Sequence, residues 1–220
     1  MISPTRVLVT GFEPFGGETI NPSASIAEAL SGRRLGPTEI VGRVLPCVFG
    51  RSREFVREWV RTLAPTAVIC LGQAGGREGI HVERIAINID DARIPDNAGA
   101  QPVDTPIVPG GPAAYWSTLP LKEIVAQLES RGIAATVSQT AGTFVCNHVF
   151  YALMHDLAQG SAPHRVRSAG FVHVPWLPEQ PSAERGQPSL PLATQIAAVE
   201  QVILATVARR GQVEAGRAEP

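Results

Sequence analysis

The sequence has few cysteines and no excess of either charge. Its 220 residues include three cysteines, Cys47, Cys70 and Cys146, an odd number that are far apart along the chain. This spacing argues against a disulfide framework and against a CxxC zinc site, and it favours a reducing compartment. With 19 basic and 20 acidic residues, the formal net charge is −1. A chain without a basic surplus is not expected to bind nucleic acid.

The sequence also lacks any apolar run of the length that a membrane span requires. The longest run near its middle, Ala67–Leu71, is far shorter than the roughly 20 residues that cross a bilayer. The first residues lack the long apolar core of a secretory signal. We therefore expect a cytoplasmic protein that does not bind membranes.

Short apolar runs alternate with amphipathic stretches along the whole chain. This alternation predicts an α/β fold, in which helices cover both faces of a mostly parallel sheet. We expect a single domain over residues 1–210 and a frayed C-terminal tail over 211–220. The predicted strands are Arg6–Thr10, Glu39–Leu45, Thr66–Leu71, 133–138 and Ala169–Val174, with residues 85–89 extended. The predicted helices begin after Asn21, at Arg51, at Leu121, at Phe144 and at Leu190, and the last ends at Arg209.

Cys146 is a candidate nucleophile because of its position in the predicted elements. It follows a strand-to-helix turn and falls in the first turn of the predicted helix. The amides and the dipole at a helix N-terminus favour a thiolate over a thiol. By position alone, a buried structural cysteine is an equally good interpretation, and Cys47 and Cys70 in their apolar runs fit that interpretation better.

A cysteine nucleophile needs a base, and the best placed histidine is His173. It lies at the carboxyl end of the apolar strand 169–174, where ligands bind in parallel sheets. His148 and His155 supply only two ligands for a metal, so no metal site is expected. Glu83 is a candidate for orienting His173, although the pattern alone favours an ion pair with Arg84 or plain exposure.

At these residues the sequence resembles the pyroglutamyl peptidase I family, also called pyrrolidone-carboxylate peptidases, which are cysteine peptidases. The matching blocks cover nearly the whole chain in order, and several blocks together are more specific than any one motif. They are TGFEPFGGETINPS (10–23), LGQAGG (71–76), ERIAINIDDARIPDN (83–97), GGPAAYWSTLP (110–120), AGTFVCNHVFY (141–151) and GFVHVPWLPEQ (170–180).

The resemblance implies a function and a set of site residues. It implies removal of N-terminal pyroglutamate from peptides through a thioester, with Cys146 as nucleophile, His173 as acid–base and Glu83 as its orienting partner. It implies no cofactor, a homo-oligomer such as a tetramer, and a three-layer α/β/α sandwich with a twisted, mixed sheet of the phosphorylase/hydrolase-like kind. The residues that it implies for substrate binding are Phe12, Phe15, Asn21, Gln73, Arg93, Phe144 and Val145.

Two other classes of protein are alternatives to this interpretation. A nucleoside-phosphorylase-like transferase shares this kind of sheet, but it would need a phosphate site and would not need Cys146. A catalytically inactive binding module would also keep the fold. The presence of Glu83, Cys146 and His173 together favours the peptidase over both.

Overall fold

A seven-stranded sheet and a separate two-stranded sheet make up the β structure of the computed structural model, which describes residues 5–160, 165–180 and 185–215. The strands in chain order are β1 (Thr5–Phe12), β2 (Arg34–Leu35), β3 (Thr38–Leu45), β4 (Ala67–Gln73), β5 (Ile80–Glu83), β6 (Ile85–Ile87), β7 (Ala114–Trp116), β8 (Ala135–Ser138) and β9 (Ser168–Val174). The order across the large sheet is β2-β3-β1-β4-β9-β5-β8, and β6 pairs with β7 in the small one.

The large sheet is mixed and mostly parallel. Strands β1, β3, β4 and β9 run in one direction. Strand β5 is antiparallel to β9 and parallel to β8, and β2 is antiparallel to β3 at the far edge. The central strands β1 and β4 are almost entirely buried, as expected for strands covered on both faces.

Five helices flank the sheet within the described ranges: α1 (Pro22–Leu30), α2 (Arg51–Leu63), α3 (Leu121–Glu129), α4 (Val145–Ala158) and α5 (Leu192–Ala215). Helix α1 begins as the sequence predicts, because Asn21 accepts a hydrogen bond from the amide of Ser23 and Pro22 occupies the first turn.

The helices form two layers, one on each side of the sheet. Apolar side chains of α1, α3 and α5 pack on one face, against strand residues such as Val7, Ile69 and Val172. Those of α2 and α4 pack on the other face, against residues such as Leu8 and Phe171. The predicted three-layer sandwich is therefore confirmed.

Two predicted elements differ from the observed ones. The extended segment at 85–89 is only the short strand β6, and the main-sheet strand β5 precedes it, because the chain leaves the large sheet after Glu83. Helix α5 continues to Ala215, beyond Arg209, where the sequence predicts its end. Residues 216–220 lie outside the described residues. In the portion of the chain that the structure describes, no helix has the length and apolar character of a membrane span.

Candidate active site

Cys146 and His173 meet on one face of the large sheet. Cys146 lies in the first turn of α4, and its Sγ lies so close to β4 that a Cβ built on Gly72 would be 2.8 Å away from it. Gly72 is the register partner of His173 in the neighbouring strand β9. Paired residues of neighbouring strands direct their side chains to the same face. The sheet register therefore brings the imidazole to the side from which the thiol approaches.

His173 is hydrogen-bonded to Glu83, with Nδ1 and Oε1 2.8 Å apart. Strand β5 runs antiparallel to β9 and places His81 opposite His173, so Glu83 is the diagonal neighbour of His173 across this pair. Glu83 is fully buried and His173 is nearly so. Because the carboxylate uses Nδ1, the imidazole keeps Nε2 for proton transfer. The predicted pairing of these two residues is therefore present.

The cation that accompanies Glu83 is Arg77 and not Arg84. Nη1 of Arg77 lies 3.1 Å from Oε1 of Glu83, the same oxygen that faces His173. Sequence reasoning missed Arg77 because it lies in a glycine-rich connection, where a charged residue is usually solvated. The only signal was its position directly after the block LGQAGG.

Burial raises the pKa of the Cys146 thiol to about 12, and the neighbouring Glu83 and Cys70 add to this rise while Arg77 opposes it. This burial opposes the stabilisation of a thiolate that is expected in the first turn of α4. A neutral thiol needs a nearby base, and His173 lines the same cleft.

The cleft above this group has a volume of about 740 Å³. Four of the residues predicted to bind substrate line it, namely Phe15, Gln73, Arg93 and Phe144. The rings of Phe15 and Phe144 lie 5.7 Å apart and form an apolar wall beside the thiol. The lining residues that the sequence reasoning did not identify include Glu18, Asp91, Ile94, Thr143, Trp176, Arg185 and Gln187.

The prediction of direct side-chain contact with substrate does not fit Phe12, Asn21 and Val145. Phe12 and Val145 are buried in the core between the sheet and α4. The side chain of Asn21 caps α1 and donates to the carbonyl of Glu13. In the part of the chain that the structure describes, none of the three is among the residues that line the cleft.

Gln73 is held by a second glutamine that sequence reasoning missed. The fully buried Gln180 donates from Nε2 to Oε1 of Gln73 at 2.9 Å, and its Oε1 accepts from the amide of Leu177. Its position at the end of the block GFVHVPWLPEQ was the available signal. Since Oε1 of Gln73 is occupied, its NH₂ group is the part left to donate into the cleft.

The histidines considered for a metal are engaged in other contacts. Nδ1 of His148 lies 2.8 Å from Asp90, and its Nε2 accepts from the amide of Gly50. Nδ1 of His155 lies 3.0 Å from the hydroxyl of Tyr115. Both imidazoles therefore connect α4 to neighbouring segments.

Known proteins match this chain over nearly its whole length. The family model for pyroglutamyl peptidase matches residues 5–209. A pyrrolidone-carboxylate peptidase of Bacillus cereus is 54% identical over 200 residues, which cover 91% of this chain and 92% of that protein.

Solved structures of two such enzymes share the fold. A mutant pyrrolidone carboxyl peptidase from the hyperthermophile Pyrococcus furiosus is 44% identical, with a TM-score of 0.89 over 93% of this chain and 99% of that one. Pyroglutamyl peptidase I from Bacillus amyloliquefaciens is 46% identical, with a TM-score of 0.87 over 92% of this chain and 95% of that one.

Proposed function

The chain belongs to the pyroglutamyl peptidase family, and from that premise we propose which of its residues carry the reaction. It is a cysteine peptidase that removes N-terminal pyroglutamate from peptides. We propose that Cys146 is the nucleophile, His173 the acid–base and Glu83 the partner that orients His173. The observation that carries the proposal is the 2.8 Å hydrogen bond from His173 to the buried Glu83, in the wall of the cleft that also contains Cys146.

In the first step, the thiol loses its proton to Nε2 of His173 as Sγ attacks the carbonyl carbon that joins pyroglutamate to the next residue. We propose that this proton transfer accompanies the approach of substrate, because burial raises the pKa of the Cys146 thiol. The carboxylate of Glu83 stabilises the imidazolium that forms. His173 then donates its proton to the departing amine as the carbon–nitrogen bond breaks, which leaves a thioester.

In the second step, neutral His173 accepts a proton from water while the water oxygen attacks the thioester carbonyl. The carbon–sulfur bond breaks, pyroglutamate leaves as the free acid, and the proton returns to Cys146. Negative charge develops on the carbonyl oxygen in both steps and needs hydrogen-bond donors. We propose the amide of Cys146 and donors near Arg93, since both lie at the cleft.

We propose that specificity for pyroglutamate arises from a part of the cleft that has apolar walls. Phe15 and Phe144 provide apolar walls, which accept an uncharged lactam and reject the ammonium of an ordinary N-terminus. The NH₂ group of Gln73 is placed to donate to a lactam carbonyl. Phe12, Asn21 and Val145 contribute by holding these walls in place.

The decisive experiment is the release of a fluorogenic amine from its pyroglutamyl amide, compared with the alanyl and prolyl amides. We expect cleavage of the pyroglutamyl amide alone, and its loss by about 10³-fold or more in Cys146→Ser and after iodoacetamide. Cys47→Ala is the matched control, because Cys47 is buried outside the cleft lining, and it should keep the activity.

Two outcomes would contradict these assignments. Cleavage that survives in Cys146→Ser would remove the nucleophile from the proposal. Cleavage of nucleosides that depends on phosphate and survives alkylation would favour the transferase alternative.

We also propose that residues 1–210 form one peptidase domain, that the protein is cytoplasmic and that it forms a homo-oligomer. The extent of the family match, residues 5–209, supports the first point. The three free cysteines support a reducing compartment.

The proposed homo-oligomer would bury apolar side chains that are exposed in one chain, and Val103 and Trp116 are candidates. Light scattering of the purified protein would measure its mass and so the number of chains.

A further inference from the structure

Glu83 is held by two donors on one oxygen. Its Oε1 lies 2.8 Å from Nδ1 of His173 and 3.1 Å from Nη1 of Arg77, while its Oε2 has no hydrogen-bond partner among the described residues. The carboxyl group is fully buried. A buried carboxylate without a compensating charge takes up a proton, because it has lost its hydration. A neutral histidine supplies a hydrogen bond but no charge.

We propose that Arg77 is a positioning residue of the reaction, which acts through Glu83 by pairing with this carboxylate and keeping it directed at His173. The inference rests on the proposed catalytic roles of Cys146, His173 and Glu83. Arg77 itself is not among the residues that line the cleft. Its effect therefore reaches the substrate only through the imidazole that Glu83 orients.

The elements that carry the neighbours of Glu83, namely β5, β8, β9 and α4, contain no lysine or arginine. On β9 the neighbour is His173, and on β5 it is His81, whose pKa is lowered chiefly by burial. On α4 it is Cys146, whose raised pKa keeps it neutral. On β8, Ser138 is the register partner of Glu83 and carries no charge. Arg77 is thus the permanent cation of this group.

The backbone around Arg77 presents the guanidinium to Glu83. Gly76 and Gly79 on either side have φ of +78° and +73°, and a Cβ at Gly79 would lie 2.3 Å from the carbonyl oxygen of Ala134. Both positions therefore require glycine. Arg77 donates also to Oγ of Ser138 and to the carbonyl of Thr140, in the segment that leads to α4. One guanidinium thus connects the carboxylate with the approach to the nucleophile.

The test uses a double-mutant cycle of Arg77→Gln and Glu83→Gln, assayed on the pyroglutamyl amide across pH. We expect Arg77→Gln to lower kcat about 10- to 100-fold with KM changed less than about threefold. We expect the acidic limb of its kcat/KM profile to move to higher pH, because the cation beside the Glu83–His173 pair has been removed. In the Glu83→Gln background, the change Arg77→Gln should lower kcat by less than about threefold further.

Two further variants separate charge from structure. Arg77→Lys keeps the cation and should return the acidic limb to its position in the unmodified enzyme. Arg131→Gln removes one exposed cation just before β8, at the other end of the strand from Ser138, and should change neither kcat nor the profile.

The proposal is overturned if Arg77→Gln leaves the acidic limb in place. It is also overturned if the loss of kcat in the double variant equals the product of the losses in the two single variants. If Arg77→Gln does not fold, the profile of Arg77→Lys decides: a limb moved to higher pH despite the retained charge overturns the proposal. These outcomes are distinct from failure of the catalytic assignment, which would appear as activity that survives Cys146→Ser or as an inactive unmodified enzyme.

Discussion

Gly72 is the residue that allows Cys146, the proposed nucleophile, to approach the sheet. A Cβ at this position would lie 2.8 Å from Sγ of Cys146 and 2.9 Å from the ring of Phe171. The sulfur ends a short side chain, so it would rotate away from His173 and relieve the contact. We expect Gly72→Ala to lower kcat about 10²-fold, since a misplacement of about 1 Å at the reacting atom has an effect of this size. The measurement is steady-state cleavage of the pyroglutamyl amide.

Gly170 in the paired strand β9 offers the matched control. A Cβ there would lie 2.4 Å from Oγ of Ser117 and 2.7 Å from the side chain of Leu119, on the side of the strand away from the thiol. Gly170→Ala should therefore lower the thermal midpoint and leave kcat within about threefold. Equal losses of kcat in both variants would mean that Gly72 acts through general packing.

Sequence reasoning found the proposed nucleophile and base more readily than the side chains that contact them. Cys146 and His173 are identified by their place next to apolar runs, because strand and helix ends are visible as patterns. Glu83 required the resemblance, since an acid before an apolar segment has several equivalent explanations. Arg77 was missed because its partner is six positions away through a turn that only glycine conformations permit.

At the scale of elements, the segment after β9 holds the cleft wall through Gln180. This fully buried side chain donates to Gln73 and also lies within hydrogen-bond distance of Glu18 and of the carbonyl of Ile20. It therefore joins the end of β4 with the loop before α1. We expect Gln180→Leu to raise KM for the pyroglutamyl amide about 10-fold, because Gln73 loses its fixed orientation, with a smaller change in kcat.

Asn88→Leu is the control for this prediction. Asn88 also uses its amide to hold loop backbone, at Val108 and Gly111, away from Gln73. Its loss should lower the thermal midpoint without changing KM. A normal KM in Gln180→Leu would show that Gln73 needs no such support.

The direction of the strands was the element-scale feature that sequence patterns left undetermined. Strand β8 leads into the turn before Cys146, and it runs opposite to β9, at whose carboxyl end His173 lies. The two residues still meet, since residues 139–144 carry the chain to the start of α4 beside Gly72. Period and length predict a strand, whereas its direction depends on long-range pairing.

At the scale of the whole molecule, the helical layers cover the sheet and bury two cysteines, Cys47 and Cys70. Burial raises the pKa of Cys70 from 9.0 to about 12, and it raises the pKa of Cys47 as well. Both thiols lie in the core between the sheet, α2 and α4. The folded protein therefore holds these thiol protons more tightly than the unfolded chain does, which links the stability of the fold to alkaline pH.

The sign of this linkage gives the last prediction. Below pH 9 both states keep the proton of Cys70, and its contribution to stability is complete. Above pH 9 the unfolded chain ionises first, so the free energy of unfolding falls until the folded pKa of about 12 is reached. From pH 8 to pH 10, the free energy of unfolding should therefore fall by about 1 kcal/mol less in Cys70→Ala than in the unmodified protein. Urea unfolding at the two pH values measures this difference.

Val68→Ala isolates the titration from the packing in this comparison. Val68 lies on the same face of β4, two residues before Cys70, and is equally buried, so the variant creates a cavity but removes no ionisable group. It should be less stable than the unmodified protein at every pH and keep the same alkaline slope. If Cys70→Ala also keeps that slope, the thiol of Cys70 ionises equally in the folded and unfolded states. Burial in the core would then not raise its pKa.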